Sequence, residues 1–188
     1  MHKDLVKKIE SSFLSCEKDI DLILNKLFYT SKEHSNTLKK LLMINQKDCL
    51  DNPKYTSAVE KITPKDLKDQ NYIRLIPCIQ MGEEEEKKNY VILTFDNFSL
   101  NAENPEFRDC TIHFDIICHT DSWDLGDYRI RPLKIAGYID GLLNSQRITG
   151  IGTLNFVGCN LLLLNKELCG YSLVYRAIHG SDDRISTK

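Results

Sequence analysis

Residues 110–178 constrain the fold most, because they read as strand, helix and then further strands, with turn residues at the junctions. Cys110 to His119 (CTIHFDIICH) alternates Ile112, Phe114, Ile116 and Cys118 against Thr111, His113, Asp115 and His119. That is the period of a strand with one face buried. A polar loop with Trp123 and Gly126 follows, and then a proline-started helical stretch, RPLKIAGYIDGLLN. Three short strands, IGTLNFVG, CNLLLLN and GYSLVYRAIHG, are expected to close the block through tight turns. These elements predict an α+β fold: a small antiparallel β-sheet packed against helices, with a helical N-terminal region.

That helical region covers residues 1–50. Leu5, Val6, Ile9 and Phe13 recur at helical spacing, as do Ile20, Ile23, Leu24, Leu27 and Phe28. Thr30-Ser31 marks a break, and Leu38, Leu41 and Leu42 a further helix. Residues 46–70 are polar, carry Pro53 and Pro64, and read as a loop with a short helical turn. IRLIPCI (73–79), the charged run GEEEEKK (82–88) and YVILTF (90–95) predict a hairpin with a solvated tip. Residues 96–109 (DNFSLNAENPEFRD) read as a long loop, and loops of that length in a compact domain tend to serve interactions. The whole is expected to be one domain, with residues 51–180 as the α+β core and 181–188 as a flexible tail.

At 188 residues, 41% hydrophobic and 28% charged, the chain has the composition of a globular protein with a real core. Its 25 basic and 27 acidic residues are interspersed and give a net charge of −2, which argues against phosphate-driven, sequence-specific nucleic-acid binding. No apolar run approaches the roughly 20 residues that span a bilayer. The N-terminus lacks the apolar core of a signal peptide, so cytoplasmic residence without membrane contact is expected. Seven cysteines without a CxxC pair predict reduced thiols, several inside apolar strands, rather than a zinc site.

No catalytic constellation emerges. His113, Asp115 and His119 share a strand face, but the two histidines lie about 20 Å apart at roughly 3.3 Å per residue. Cys118 and His119 are adjacent and point to opposite faces, so they form no dyad. Gly150 and Gly152 lack the third glycine of a dinucleotide motif and precede a strand rather than a helix. No enzyme activity and no cofactor or metal is expected. The basic residues Arg129, Arg131, Lys134 and Arg147 are interleaved with Asp124, Asp127 and Asp140, a mixed-sign cluster suited to a subunit contact.

The stretch ICHTDSWDLGDYRIRPLKIAGYIDGLLN through GIGTLNFVGCNLLLLNKELCGYSLVYRAIHG resembles the tail terminator proteins of tailed bacteriophages. The residues that carry the likeness are Arg131, Ile135, Ala136, Ile139, Asp140, Leu142 and Leu143, then Leu173, Tyr175 and His179. The extended 96–109 loop fits the same pattern. The resemblance covers about half the chain and implies a structural virion protein. It implies a hexameric ring that caps the tail tube and joins the head, with tail tube and neck or connector proteins as partners. Assembly in the host cytoplasm and residence in the virion follow from it. The N-terminal helical region is longer than a minimal terminator needs, which leaves a connector or neck ring of twelve as the alternative. A cytosolic binding module is a third reading, and a hydrolase built on His113, Asp115 or His119 a fourth. Phe98, Phe107, Arg108, Trp123, Arg129, Arg131, Lys134 and Arg147 are the expected subunit or partner interface. Alanine at Phe98 and Phe107 is expected to weaken oligomerisation and leave the monomer folded.

Overall fold

The computed structural model describes residues 16–76, 87–102, 108–148 and 152–179. The expected helices at Leu5–Phe13, the tip of the charged run, Phe107 and the C-terminal tail lie outside these residues. Helix α1 (Cys16–Phe28) buries Ile23, Leu24, Leu27 and Phe28 on one face, as the spacing requires. Helix α2 (Lys32–Met43) buries Leu38, Leu41 and Leu42. Two short helices follow, α3 (Lys54–Val59) and α4 (Pro64–Asp69), in the stretch read as a loop with a short helical turn. The start of α4 is a reciprocal cap: Thr63 Oγ1 accepts from the Asp66 amide at 3.2 Å, and the Asp66 carboxylate accepts from the Thr63 amide at 2.8 Å. Pro64, one of the prolines that mark the stretch as a loop in the sequence, sits where proline is tolerated, at the first helical position.

One five-stranded sheet carries the rest, in the order β1-β2-β3-β7-β6. Its members are β1 (Ile73–Arg74), β2 (Asn89–Leu100), β3 (Arg108–His119), β6 (Asn155–Leu163) and β7 (Leu168–His179). A separate two-stranded ribbon joins β4 (Arg147–Ile148) to β5 (Gly152–Thr153). Helix α5 (Arg131–Leu143) follows a 3₁₀ turn at Thr120–Ser122.

Three expectations change. Strand β1 has two residues and runs parallel to β2, pairing Ile73 with Val91, which a hairpin cannot do. Strand β2 does not stop at Phe95. It continues to Leu100 through a bulge at Asn97, whose φ of 53° is left-handed, so the loop before β3 is shorter than read. IGTLNFVG and CNLLLLN are not separate strands, since β6 runs across Gly158 with a bulge beside it. Glycine there marks an irregularity in a strand rather than a turn.

The helical and strand regions share one core. Ile23, Leu27, Leu38 and Leu42 join Ile112, Phe114, Ile116, Ile135, Ile139 and Tyr175 in one buried cluster. Tyr90, Ile92, Ile117 and Leu168 form a second, smaller cluster on the opposite sheet face. Tyr175 packs edge-on against Phe114 and Phe156, and its hydroxyl donates to Asp140 Oδ1 on α5 at 2.9 Å. Burial and that carboxylate hold its phenol well above the ordinary tyrosine pKa.

Candidate assembly surfaces

The loop from His119 to Arg131 is held by a buried polar hub. Arg131 is fully buried. Its Nε donates to the Ser122 carbonyl at 2.5 Å, and its Nη1 to the carbonyls of Leu41 and Ile44 at 2.7 and 2.8 Å. Nη2 donates to the Gln46 carbonyl at 3.1 Å. The guanidinium thus meets orphan carbonyls at the C-terminal end of α2, where the helix dipole favours a cation. Asn89, also fully buried, donates to the carbonyls of Leu41 and Leu42 and to Asn45 Oδ1, and its own oxygen accepts from Ser122 Oγ at 2.6 Å. This corrects the expectation for Arg131, which has no surface to offer a partner.

Trp123 is half-buried, with Nε1 donating to the Cys118 carbonyl at 3.3 Å and its ring beside Tyr171. Arg129 grips Asp51 with both terminal nitrogens, at 3.1 and 2.6 Å, and also donates to the carbonyls of Leu125 and Gly126. The Arg129 guanidinium holds the Asp51 carboxyl below its usual range. Both residues brace the loop from inside the chain.

What the bracing displays is a turn. Gly126, Asp127 and Tyr128 are consecutive left-handed residues, with φ of 77°, 49° and 61°. For a tyrosine that conformation costs free energy and persists only where the surroundings impose it. Here the Gly126 amide donates to Asp124 Oδ1, and backbone bonds join Leu125, Gly126 and Arg129 across the turn. The Tyr128 side chain stands fully in solvent. With Ile130, Leu133, Lys134 and Tyr138 it lines a shallow groove of about 520 Å³ along the start of α5. Lys134 is exposed there, and Arg147 is exposed on β4.

A second surface is the outer edge of β6. Phe156, Val157, Leu161, Leu163 and Leu164 are 44–71% exposed. Among the described residues no strand pairs with this edge. Its beginning is capped, where the Phe156 amide donates to Asn144 Oδ1 at 3.3 Å. The opposite side is different: β1 covers β2 only at Val91 and Ile92, and beyond it β2 carries exposed Asp96 and the bulge at Asn97.

Of the remaining expected interface residues, Phe98 lies in β2, stacked on Phe95 with ring centroids 6.4 Å apart and packed on the core. Its truncation therefore tests packing as well as contact. Arg108 opens β3 opposite Leu100, and Phe107 is outside the described residues. The residues weighed for chemistry are dispersed. Asp115 accepts from Ser172 Oγ at 2.5 Å, His113 Nε2 lies 3.3 Å from Thr111 Oγ1, and His119 accepts from the Asp121 amide at the start of the 3₁₀ turn. Among the described residues no group of three or more His, Cys, Asp or Glu side chains could hold a metal ion.

Sequence reasoning missed Asn89, Ser122 and Tyr128. Asn89 alone carried a signal, as a polar residue at the head of an apolar strand. No curated protein and no solved structure matches the chain. The YomW family model matches residues 35–177, a span that opens inside α2 ahead of the hub carbonyls and closes in β7. Hub, displayed turn and β6 edge all fall within it, and the chain belongs to the YomW family, which bears the name of a Bacillus prophage protein.

Proposed function

We propose that this protein is a structural component of a phage virion at the head–tail junction, forming a ring of six that terminates the tail tube and joins it to the head. The observation that carries the reading is the presence of two unlike, partly apolar surfaces on one small subunit: the Tyr128 groove and the β6 edge. Exposed tyrosine on a pre-formed turn is the kind of anchor that dominates protein interfaces, because little conformational entropy is lost on contact. Membership of a family with a phage name supports the setting. The partners of such a subunit are its own copies, the tail tube protein and the connector.

Light scattering on the purified chain, followed by negative-stain imaging alone and with assembled tail tubes, tests the reading. Six-membered rings seated at tube ends are expected. Rings of twelve that ignore tubes would move the protein to the connector. Monomers that bind neither tube nor connector would overturn the virion role.

A further inference from the structure

We infer that the outer edge of β6 pairs antiparallel with the β6 edge of a second copy, joining two five-stranded sheets into one of ten strands. The inference stands on the edge itself and not on the phage reading. From Asn155 to Asn165 the chain carries no charged side chain, although natural edge strands are commonly defended by lysine, proline or a covering segment. The straight portion, Gly158–Leu163, pairs residue by residue with β7 on one side, so its other side presents a row of backbone donors and acceptors.

The occupant follows from chemistry. A strand laid here meets an uncharged apolar edge, and the same edge of another copy supplies one without placing like charges opposite each other. Two copies related by a twofold axis near Asn160 or Leu161 bring Cys159, Leu161 and Leu163 of each strand against their counterparts on one face. The five exposed apolar residues leave roughly 100 Å² each in solvent, about 500 Å² in all. Edge pairing covers part of that area together with the strand backbone, which makes a contact below the ~800 Å² per side of a standard interface. The β2 edge is a poorer match, since its bulge and Asp96 disrupt a regular ladder.

A twofold contact makes pairs and does not by itself close a cyclic ring, which needs unlike surfaces. Six copies joined this way would be three pairs in a ring with two like faces, so this contact is an alternative to a ring that meets tube and head on unlike faces, and the masses below separate the two.

The test is the mass of the full chain by light scattering, beside a Leu161→Lys/Leu163→Lys variant. Both positions are solvent-exposed in the single chain, so the charges should not unfold it, and circular dichroism checks this. The expected result is an even-numbered wild-type oligomer whose mass falls at least twofold in the variant. A wild-type hexamer that stays hexameric in the variant overturns the β6 contact and leaves the ring intact. A wild-type dimer that becomes monomeric supports the contact and removes the ring. A wild-type monomer at 100 µM, taken as roughly a hundred times a micromolar Kd, overturns the contact.

Cross-linking reads the contact without relying on that variant. Cys159 is exposed on the paired stretch. A bismaleimide reaching about 13 Å, four strand residues, should link two wild-type chains and not two Cys159→Ser chains. Linking that survives in Cys159→Ser, or is absent in wild type, overturns the proposal.

Discussion

Replacing Arg131 with methionine tests whether the hub holds the helices to the sheet. Methionine is similar in length and unbranched, so the change removes charge and donors more than it opens a cavity. Four carbonyls lose a donor at 2.5–3.1 Å: Ser122, Leu41, Ile44 and Gln46. Hydrogen bonds to a charged group contribute about 1.5–3 kcal/mol each, so four would sum to roughly 6–12 kcal/mol. Two effects reduce that. The desolvation cost of the buried guanidinium, several kcal/mol, disappears with it. The Leu41 carbonyl also keeps the Asn89 amide. A net loss of about 3–5 kcal/mol remains, a large share of the ~5–15 kcal/mol that a domain possesses. For a chain of this size each kcal/mol moves Tm by about 2–4 °C, so Arg131→Met should melt roughly 6–20 °C below wild type. Arg131→Lys keeps the charge but not the planar fork that reaches four separated oxygens, and should fall between the two. Urea titration followed by circular dichroism gives both values. A methionine variant within about 1 kcal/mol of wild type would refute the reasoning, because the carbonyls would then be satisfied by water.

Other expectations rest on separate parts of the fold. At Gly170, which pairs with Ile117 in β3, an added Cβ would lie 1.7 Å from the Ile116 carbonyl oxygen. Gly170→Ala should therefore cost about 3 kcal/mol or more in a denaturation series, and an unchanged midpoint would show that the strands can part cheaply. Burial pushes the thiols of Cys110 and Cys118 up to about 12. Both should resist iodoacetamide at pH 8 until urea unfolds the chain, as read by peptide mass spectrometry. Asp109 is held below its ordinary pKa by Arg176 and Asn101. A depressed carboxyl contributes stability above its unfolded pKa of about 4, and that contribution disappears as pH falls through the lower folded value. Asp109→Asn should thus flatten the acid limb of a Tm-against-pH curve, and an identical limb would remove the ion pair from the account.

Periodic signals were the legible ones. The alternation Ile112–Phe114–Ile116–Cys118 and the spacing of Leu38, Leu41 and Leu42 each record a single buried face, and both elements lie where the pattern puts them. Local chemistry that cuts across period was harder to read. Gly158 and Asn97 interrupt their strands without ending them, and Pro64 starts a helix in a stretch whose prolines and polarity read as a loop with a short helical turn. The hub was the least legible part. Arg131 is an arginine among surface-like charges until the chain brings back carbonyls from residues 41–46, more than eighty positions earlier, and nothing local announces them. Tyr128 was hidden for the opposite reason, since its exposure depends on three left-handed residues in a row.

The two edges of the sheet are unequal, and this sets a limit on growth. On the far side the two-residue β1 covers only Val91 and Ile92, and beyond it the bulge and carboxylate on β2 hinder a ladder that the apolar edge at β6 can start. Joining β6 to β6 uses up the open side of both molecules and leaves only blunted sides facing outward. Sheet addition then stops at two, so the subunit carries an adhesive strand without the hazard of polymerising into a fibre.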